Sequence, residues 1–294
     1  MNKAEADRLT EEVLATYKAT PDPRLREVMT KLVGHLHAFI KDAKPSFEEW
    51  MQGVEFLTKV GQACAPSRQE FILLSDVLGV SMLVDTVNHE AGEGGTDSTV
   101  LGPLYAENSP VMPLGADVAP GLKGQPLYAD GVVRSVDGKP ISGAIIDIWQ
   151  ADEDGFYDMQ KPGLGADETE LRARFRTDSE GRYYFKSIVP KFYSIPVDGP
   201  VGELVRAAEK GPIRPAHLHF LVKAPGYETL VTHLFVKGDP HINSDAVYAV
   251  KPSLIVDFVE KPAETPMPDG HKTPAAWRHL NFDFGLKPAQ AKAA

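Results

Sequence analysis

The sequence predicts an α+β fold, with an N-terminal helical segment followed by a mostly antiparallel β-sandwich carrying long loops. Three observations carry that reading. Apolar residues recur at three- and four-residue spacing through about the first 95 residues, the period of an amphipathic helix. From Gly102 to Pro126 the chain is dense in Gly and Pro and has no helical period. After Leu127, short β-type runs alternate with turn signals at a spacing near that of a sandwich. The predicted division is residues 1–98 helical, 99–126 a linker and 127–294 the sandwich.

In chain order, Leu25, Val28, Leu32, Leu36 and Phe39 form one apolar stripe. Ser46 and Glu49 fit a capping box ahead of Phe47, Trp50, Val54, Leu57 and Val60. Ser67 and Glu70 fit a second, ahead of Phe71, Leu74, Leu78 and Met82, and Pro45 and Pro66 mark the breaks. Helices with broad apolar faces and no core of their own need a partner surface, so this segment caps the sandwich or supplies a dimer interface. The predicted strands are Leu127–Val136, Ala144–Gln150, Arg172–Thr177, Tyr183–Val189, His217–Lys223, Leu230–Lys237 and Leu254–Val259. Asp137-Gly138 and Glu180-Gly181 read as tight turns, Trp149 as sandwich core and Lys287–Ala294 as a frayed tail. No internal repeat is visible.

Composition narrows the function. A formal net charge of −10 argues against nucleic acid and gives no support for binding an anionic membrane. The single cysteine, Cys64, excludes an internal disulfide and a cysteine-based zinc site. Met1–Arg8 is polar, with no apolar signal segment, and no run approaches the ~18 apolar residues of a membrane span. The expectation is a cytoplasmic protein.

Two His-x-His pairs then offer an internal comparison. His217 and His219 lie in an apolar run that reads as a strand, so both imidazoles point to one side and can reach one metal ion. His35 and His37 lie in a helical pattern, where residues two apart diverge by ~200°. The first pair is a ligand candidate and the second is not. A metal needs further donors, and carboxylates near His217 are few. Tyr157 and Tyr193 instead follow predicted strands beside turn formers. A phenolate is a hard anionic donor suited to Fe(III), and two of them with two neutral imidazoles would cancel two of its three charges.

Four stretches together resemble the intradiol ring-cleaving dioxygenases: Leu101-Gly102-Pro103-Leu104-Tyr105, Asp154-Gly155-Phe156-Tyr157, Tyr193 ahead of a Pro-Gly loop, and Arg214-Pro215-Ala216-His217-Leu218-His219. These are enzymes of catechol, chlorocatechol and hydroxyquinol. The resemblance implies one non-haem Fe(III) per subunit, held by Tyr157, Tyr193, His217 and His219. It implies that a diol binds as a dianion, displacing Tyr193, which accepts a proton. Arg214 then matches the arginine that stabilises charge developing on the ring. The resemblance also implies a homodimer built on the N-terminal helices, with a bound phospholipid there in some members.

The run Arg68–Ser81 resembles the hydroxyquinol branch, in which an aspartate matching Asp76 faces the substrate. Its carboxylate would accept a hydrogen bond from the third hydroxyl of benzene-1,2,4-triol. Plain catechol would leave it unpaired, at a cost of ~1–3 kcal/mol. Thr99-Val100-Leu101-Gly102-Pro103 also fits that branch and is expected to line the pocket with Leu73. Where catechol-cleaving relatives carry Gln, this chain has His233, expected beside the site holding a substrate oxygen or water. The expected reaction is intradiol cleavage of hydroxyquinol by O2 to 3-hydroxy-cis,cis-muconate, the enol of maleylacetate. Catechol 1,2-dioxygenase activity is the alternative. Two readings come from other classes: a zinc hydrolase using His217, His219 and a carboxylate, and a non-enzymatic sandwich module whose tyrosines stack on carbohydrate.

Overall fold

A computed structural model describes residues 3–65, 68–107, 109–161 and 169–289. The chain separates into two compact units, Met1–Gln62 and Ala63–Ala294. The smaller unit holds α1 (Lys3–Thr16), a 3-10 turn, α2 (Pro23–Ala43) and α3 (Phe47–Gln62). Asp22 caps α2 by accepting from the backbone N–H groups of Arg24 (2.8 Å) and Leu25 (3.2 Å), with Pro23 in the first turn. The expected Ser46–Glu49 capping box forms in both directions, at 2.7 and 3.1 Å. Lys41 donates to Asp7 at 2.9 Å and His37 Nδ1 lies 3.1 Å from the Thr10 hydroxyl, joining α2 to α1. No residue of α1 or α2 is buried, and the stripe from Leu25 to Phe39 lies open.

The larger unit begins with α4 (Glu70–Val77) and α5 (Val80–Asn88). The sequence predicts one helix here; Gly79, at φ +72°, breaks it in two. Ser67, of the second capping box, lies outside the described residues. Glu70 itself is buried and accepts from Arg68 Nε (2.9 Å) and from the Val201 backbone N–H (3.1 Å) at the start of α6 (Pro200–Ala207). That anchorage holds α4, and hence Leu73 and Asp76, against the remainder of the unit.

Two five-stranded sheets follow. One contains β1 (Pro126–Ser135), β4 (Arg182–Ile188), β10 (Val259–Lys261), β11 (Trp277–Asn281) and β12 (Phe284–Leu286). The other runs in the order β3 (Arg172–Arg176), β2 (Ile145–Gln150), β7 (His217–Lys223), β8 (Leu230–Val236), β9 (Ile255–Val256). A short ribbon pairs β5 (Tyr193–Ser194) with β6 (Ile213–Arg214). Among the described residues six of the nine strand pairings are antiparallel; β1 pairs in parallel with β11 and β12, and β8 with β9. The core between the sheets is aromatic. Phe220 of β7 meets Phe284 of β12 with ring centres 4.9 Å apart, and Phe175 of β3 stacks on Phe185 of β4 at 5.3 Å.

Most predicted strands form within a residue or two of their expected ends. The exception is Leu254–Val259, which splits into a 3-10 turn, β9 and β10. The strands β11 and β12 and the helix α6 lie outside the predicted elements; α6 starts on Pro200 and buries Val201 and Val205, one turn apart. Lys287–Ala289, expected in a frayed tail, instead pair with Gly226–Glu228: the Ala289 N–H donates to Gly226 O, and Glu228 N–H to Lys287 O, both at 2.9 Å. Residues 290–294 lie outside the described residues. No described helix is long and apolar enough to cross a membrane.

Candidate metal centre

Strand β7 is buried on both faces. Leu218, Phe220 and Val222 face the opposite sheet; His217, His219 and Leu221 face the other way, under loops. Cross-strand register then assembles the site. His219 lies directly between Trp149 of β2 and His233 of β8, and His217 lies opposite Phe235. Trp149 stacks on His219 with ring centres 4.6 Å apart and planes 17° apart. The expectation that Trp149 belongs to the sandwich core is therefore corrected: it shares the face of His219 and packs with Ala151, Tyr157 and Leu221 under the loop carrying Leu104 and Tyr105.

The tyrosines arrive from two loops. Asp152 Oδ1 accepts from the N–H groups of Asp154 and Phe156, both at 2.9 Å, turning the chain after β2 into Tyr157. Gly155 is required here. Its φ is +89°, and a Cβ would stand 3.0 Å from Phe192 O and 3.2 Å from Tyr193 Cβ. This close approach locks the Tyr157 loop to the Tyr193 loop, and the two phenol rings meet edge to face at 5.2 Å. The β5–β6 ribbon sets Tyr193 opposite Arg214. The expected donor atoms converge. His217 Nε2 lies 3.1 Å from His219 Nε2, which lies 2.9 Å from the Tyr157 hydroxyl, and the Tyr193 ring sits 5.7 Å from that of His217.

Hydrogen bonds orient each imidazole. His217 Nδ1 lies 2.6 Å from Pro215 O, which can only accept, so the proton is on Nδ1 and the Nε2 lone pair faces the site. His219 Nδ1 lies 2.7 Å from His233 Nε2, and His233 Nδ1 lies 2.7 Å from the Thr99 hydroxyl. Burial first, then the charge of Arg214, lowers the His217 pKa to about 3. Burial first, followed by the His233 and His217 rings, also lowers that of His219, and burial first, followed by the charge of Arg214, lowers that of His233. Neutral imidazoles with no competing proton suit a cation. Tyr157 is shifted the other way, upward, by burial and then by Tyr193.

Arg214 is buried and donates from Nε to Asp245 Oδ1 at 3.1 Å, while its Nη1 lies 3.5 Å from the Tyr193 hydroxyl and 3.3 Å from His217 Nε2. Burial opposes the charge of Asp245, but Arg214 outweighs it and the carboxyl stays below its usual value. Asp245 also accepts from the backbone of Val247 (3.3 Å) and Ala249 (2.9 Å). Among the described residues the cluster of metal-capable His, Cys, Asp and Glu side chains here is His217, His219 and His233; no carboxylate joins it, as the zinc hydrolase reading required. Two converging imidazole lone pairs beside two phenols form a nitrogen and hard-oxygen donor set, which fits ferric iron. His35 and His37, by contrast, sit on α2, where His35 is exposed and His37 meets Thr10.

The other predicted residues fall around this centre. A Cβ on Gly102 would lie 3.6 Å from His219 Cε1, so the loop of Val100, Leu101, Gly102 and Pro103 runs over that ring. Leu73 and Asp76 are both buried, one helical turn apart on α4. Burial raises the Asp76 carboxyl above its usual value; a hydrogen bond from Ser81 and the charge of Arg214 pull the other way, and Asp245 adds to the rise.

A family model described as dioxygenase matches residues 100–288, and one described as catechol dioxygenase N terminus matches residues 22–96. The chain belongs to the intradiol dioxygenases. It is 48% identical to 6-chlorohydroxyquinol 1,2-dioxygenase of Cupriavidus pinatubonensis, over 98% of this chain and 99% of that protein. It is 49% identical to hydroxyquinol 1,2-dioxygenase of a Rhizobium species, over 86% and 85%. The crystal structure of hydroxyquinol 1,2-dioxygenase from Pseudomonas putida DLL-E4 superposes with a TM-score of 0.90 at 41% identity, covering 98% of this chain and all (100%) of that one. Family membership implies non-haem iron and removes the hydrolase and binding-module readings.

Sequence reasoning missed Asp245 and the placement of Trp149 in this dioxygenase's site, and it gave Thr99 only as part of the pocket-lining stretch, without its partner His233. A period-two reading of Ile145–Gln150 aligned to His217–Lys223 would have placed Trp149 with His219, once their pairing was known. Nothing local marks Asp245, or the pairing of Thr99 with His233.

Proposed function

We propose that this dioxygenase cleaves hydroxyquinol between its two adjacent hydroxyl-bearing carbons, with one non-haem Fe(III) per subunit held by Tyr157, Tyr193, His217 and His219. The observation that carries the reading is the convergence on His219 Nε2 of His217 Nε2, at 3.1 Å, and the Tyr157 hydroxyl, at 2.9 Å, with Tyr193 and Arg214 alongside. Both atoms of O2 end in the two new carboxyl groups, giving 3-hydroxy-cis,cis-muconate, so no other reductant is needed. Ferric iron would supply the Lewis acidity that draws electron density from a chelated diol and opens the ring to O2.

The protein's residues do the rest. Tyr157 is fully buried and Tyr193 only half-buried, so Tyr193 is the donor that can swing out and take a substrate proton. Arg214 Nη1 beside its hydroxyl is a fixed positive charge in a dry site, placed to stabilise negative charge on Tyr193 oxygen and on the ring. Asp76, on the same buried side as Arg214, accepts the third hydroxyl and favours the triol over catechol. Leu73 and the Val100–Pro103 loop form the pocket walls, and the missing Cβ of Gly102 leaves room beside His219. The helices of residues 1–98 would form the homodimer interface and carry any bound phospholipid, supported by the open apolar faces of α2 and α3.

The test is a visible spectrum of the pure protein with oxygen uptake on benzene-1,2,4-triol and catechol. A wine-red phenolate-to-iron band and faster uptake on the triol are expected. A preparation that stays colourless and inactive after iron reconstitution overturns the reading.

A further inference from the structure

We infer that His233 is a positioning residue that ties the substrate-side loop to the ligand His219 through one hydrogen-bonded relay, His219–His233–Thr99. This rests on the ferric reading above. The geometry is closed at both ends. His233 Nε2 lies 2.7 Å from His219 Nδ1, and His233 Nδ1 lies 2.7 Å from Thr99 Oγ1. All three side chains are buried. Both ring nitrogens of His233 are thereby taken, so it has no polar atom left for a substrate oxygen or water, the role expected of it from sequence.

The direction of the relay follows from the ligand. With its Nε2 lone pair given to the ion, His219 carries its proton on Nδ1 and donates to His233 Nε2. The proton of His233 then lies on Nδ1 and is donated to Thr99. An imidazole that donates to a neutral acceptor is a stronger electron-pair donor at its other nitrogen. The far end of the relay matters as much. Thr99 opens the Val100–Pro103 loop, its N–H donates to Val231 O on β8 at 2.8 Å, and Gly102 lies against the His219 ring. One buried chain of contacts therefore sets both the angle of a ligand and the height of the loop over it.

Three variants test this: His233→Phe, which keeps the ring and removes the acceptor; His233→Gln, which restores an acceptor and a donor on one amide; and Thr99→Val. Iron retention against a chelator, the position of the visible band, and Tm are read for each. His233→Phe is expected to lose iron affinity by about 10- to 100-fold, the scale of such outer hydrogen bonds. Its band should move to longer wavelength, because a weaker imidazole donor leaves the iron more electron-poor. His233→Gln should restore both. Thr99→Val should give a smaller shift of the band together with a raised KM for the triol, since it frees the loop. Iron binding and a band identical to wild type in a folded His233→Phe protein overturn the inference alone. If that variant does not fold, an unmoved band and unchanged iron retention in Thr99→Val do the same. A wild-type protein that takes up no iron overturns the ferric reading and the relay with it.

Discussion

Tyr193 and Arg214 stand opposite one another across the two-residue ribbon β5–β6, with Arg214 Nη1 3.5 Å from the Tyr193 hydroxyl. The backbone pairing fixes the charge beside the one tyrosine of the centre that is not fully buried. Arg214→Lys keeps a positive charge but loses the fork that also grips Asp245. It should lower kcat by about 10²- to 10³-fold, as for loss of one preorganised charge donor, with iron content and Tm near wild type. Arg214→Ala should in addition destabilise the fold by about 3–5 kcal/mol, because Asp245 is left buried and unpaired. Oxygen uptake and denaturant unfolding distinguish the two.

The unequal burial of the tyrosines predicts unequal losses. Tyr157 is fully enclosed, against Trp149 and Ala151, and His219 Nε2 lies 2.9 Å from its hydroxyl. Tyr157→Phe should abolish iron retention and colour. Tyr193→Phe should retain iron with a weakened, shifted band and a lower rate. Iron analysis and the visible spectrum check both.

Asp76 links selectivity and pH. Asp76→Asn should lower kcat/KM for the triol by about 5- to 100-fold, the worth of one hydrogen bond to a charged acceptor, with a smaller change for catechol. Equal losses would remove Asp76 as the selector.

The same variant should stabilise the iron-free protein. The Asp76 carboxyl is raised above its ordinary value of 3.8, by burial first, so the folded state holds this proton more firmly than the unfolded state. Stability from that proton is fully present below pH 3.8 and lost as pH rises through the folded value. Asn loses nothing over that range. The Tm of Asp76→Asn should exceed that of wild type at pH 7, by ~2–4 °C per kcal/mol released, and the gap should close on acidification. A gap that widens as pH falls would contradict the assignment.

Gly155 is the hinge between the two tyrosine loops. An alanine there meets both a positive φ and a Cβ 3.0 Å from Phe192 O. Gly155→Ala should cost about 1–3 kcal/mol of backbone strain and contact. It should also shift the visible band, because relief requires Tyr193 to move. Unfolding and spectra taken together check this.

Much of this protein was legible in local sequence. The strand period of Leu218, Phe220 and Val222 put His217 and His219 on one face before any fold was known, because side-chain alternation is a property of the strand alone. The capping box at Ser46 and Glu49 was equally local. Donor type was readable too, since phenols and imidazoles beside one another suit a hard trivalent ion wherever they come from. Other features were decided only by tertiary structure. Asp245 meets Arg214 from 31 residues away and Thr99 meets His233 from 134 away, and nothing local marks either pairing. Trp149 and His233 flank His219 because β2, β7 and β8 pair in one particular register, and a shift of one residue would turn each to the opposite face. Sequence determined which side chains could bind; register determined which atoms of those side chains were left free to do so.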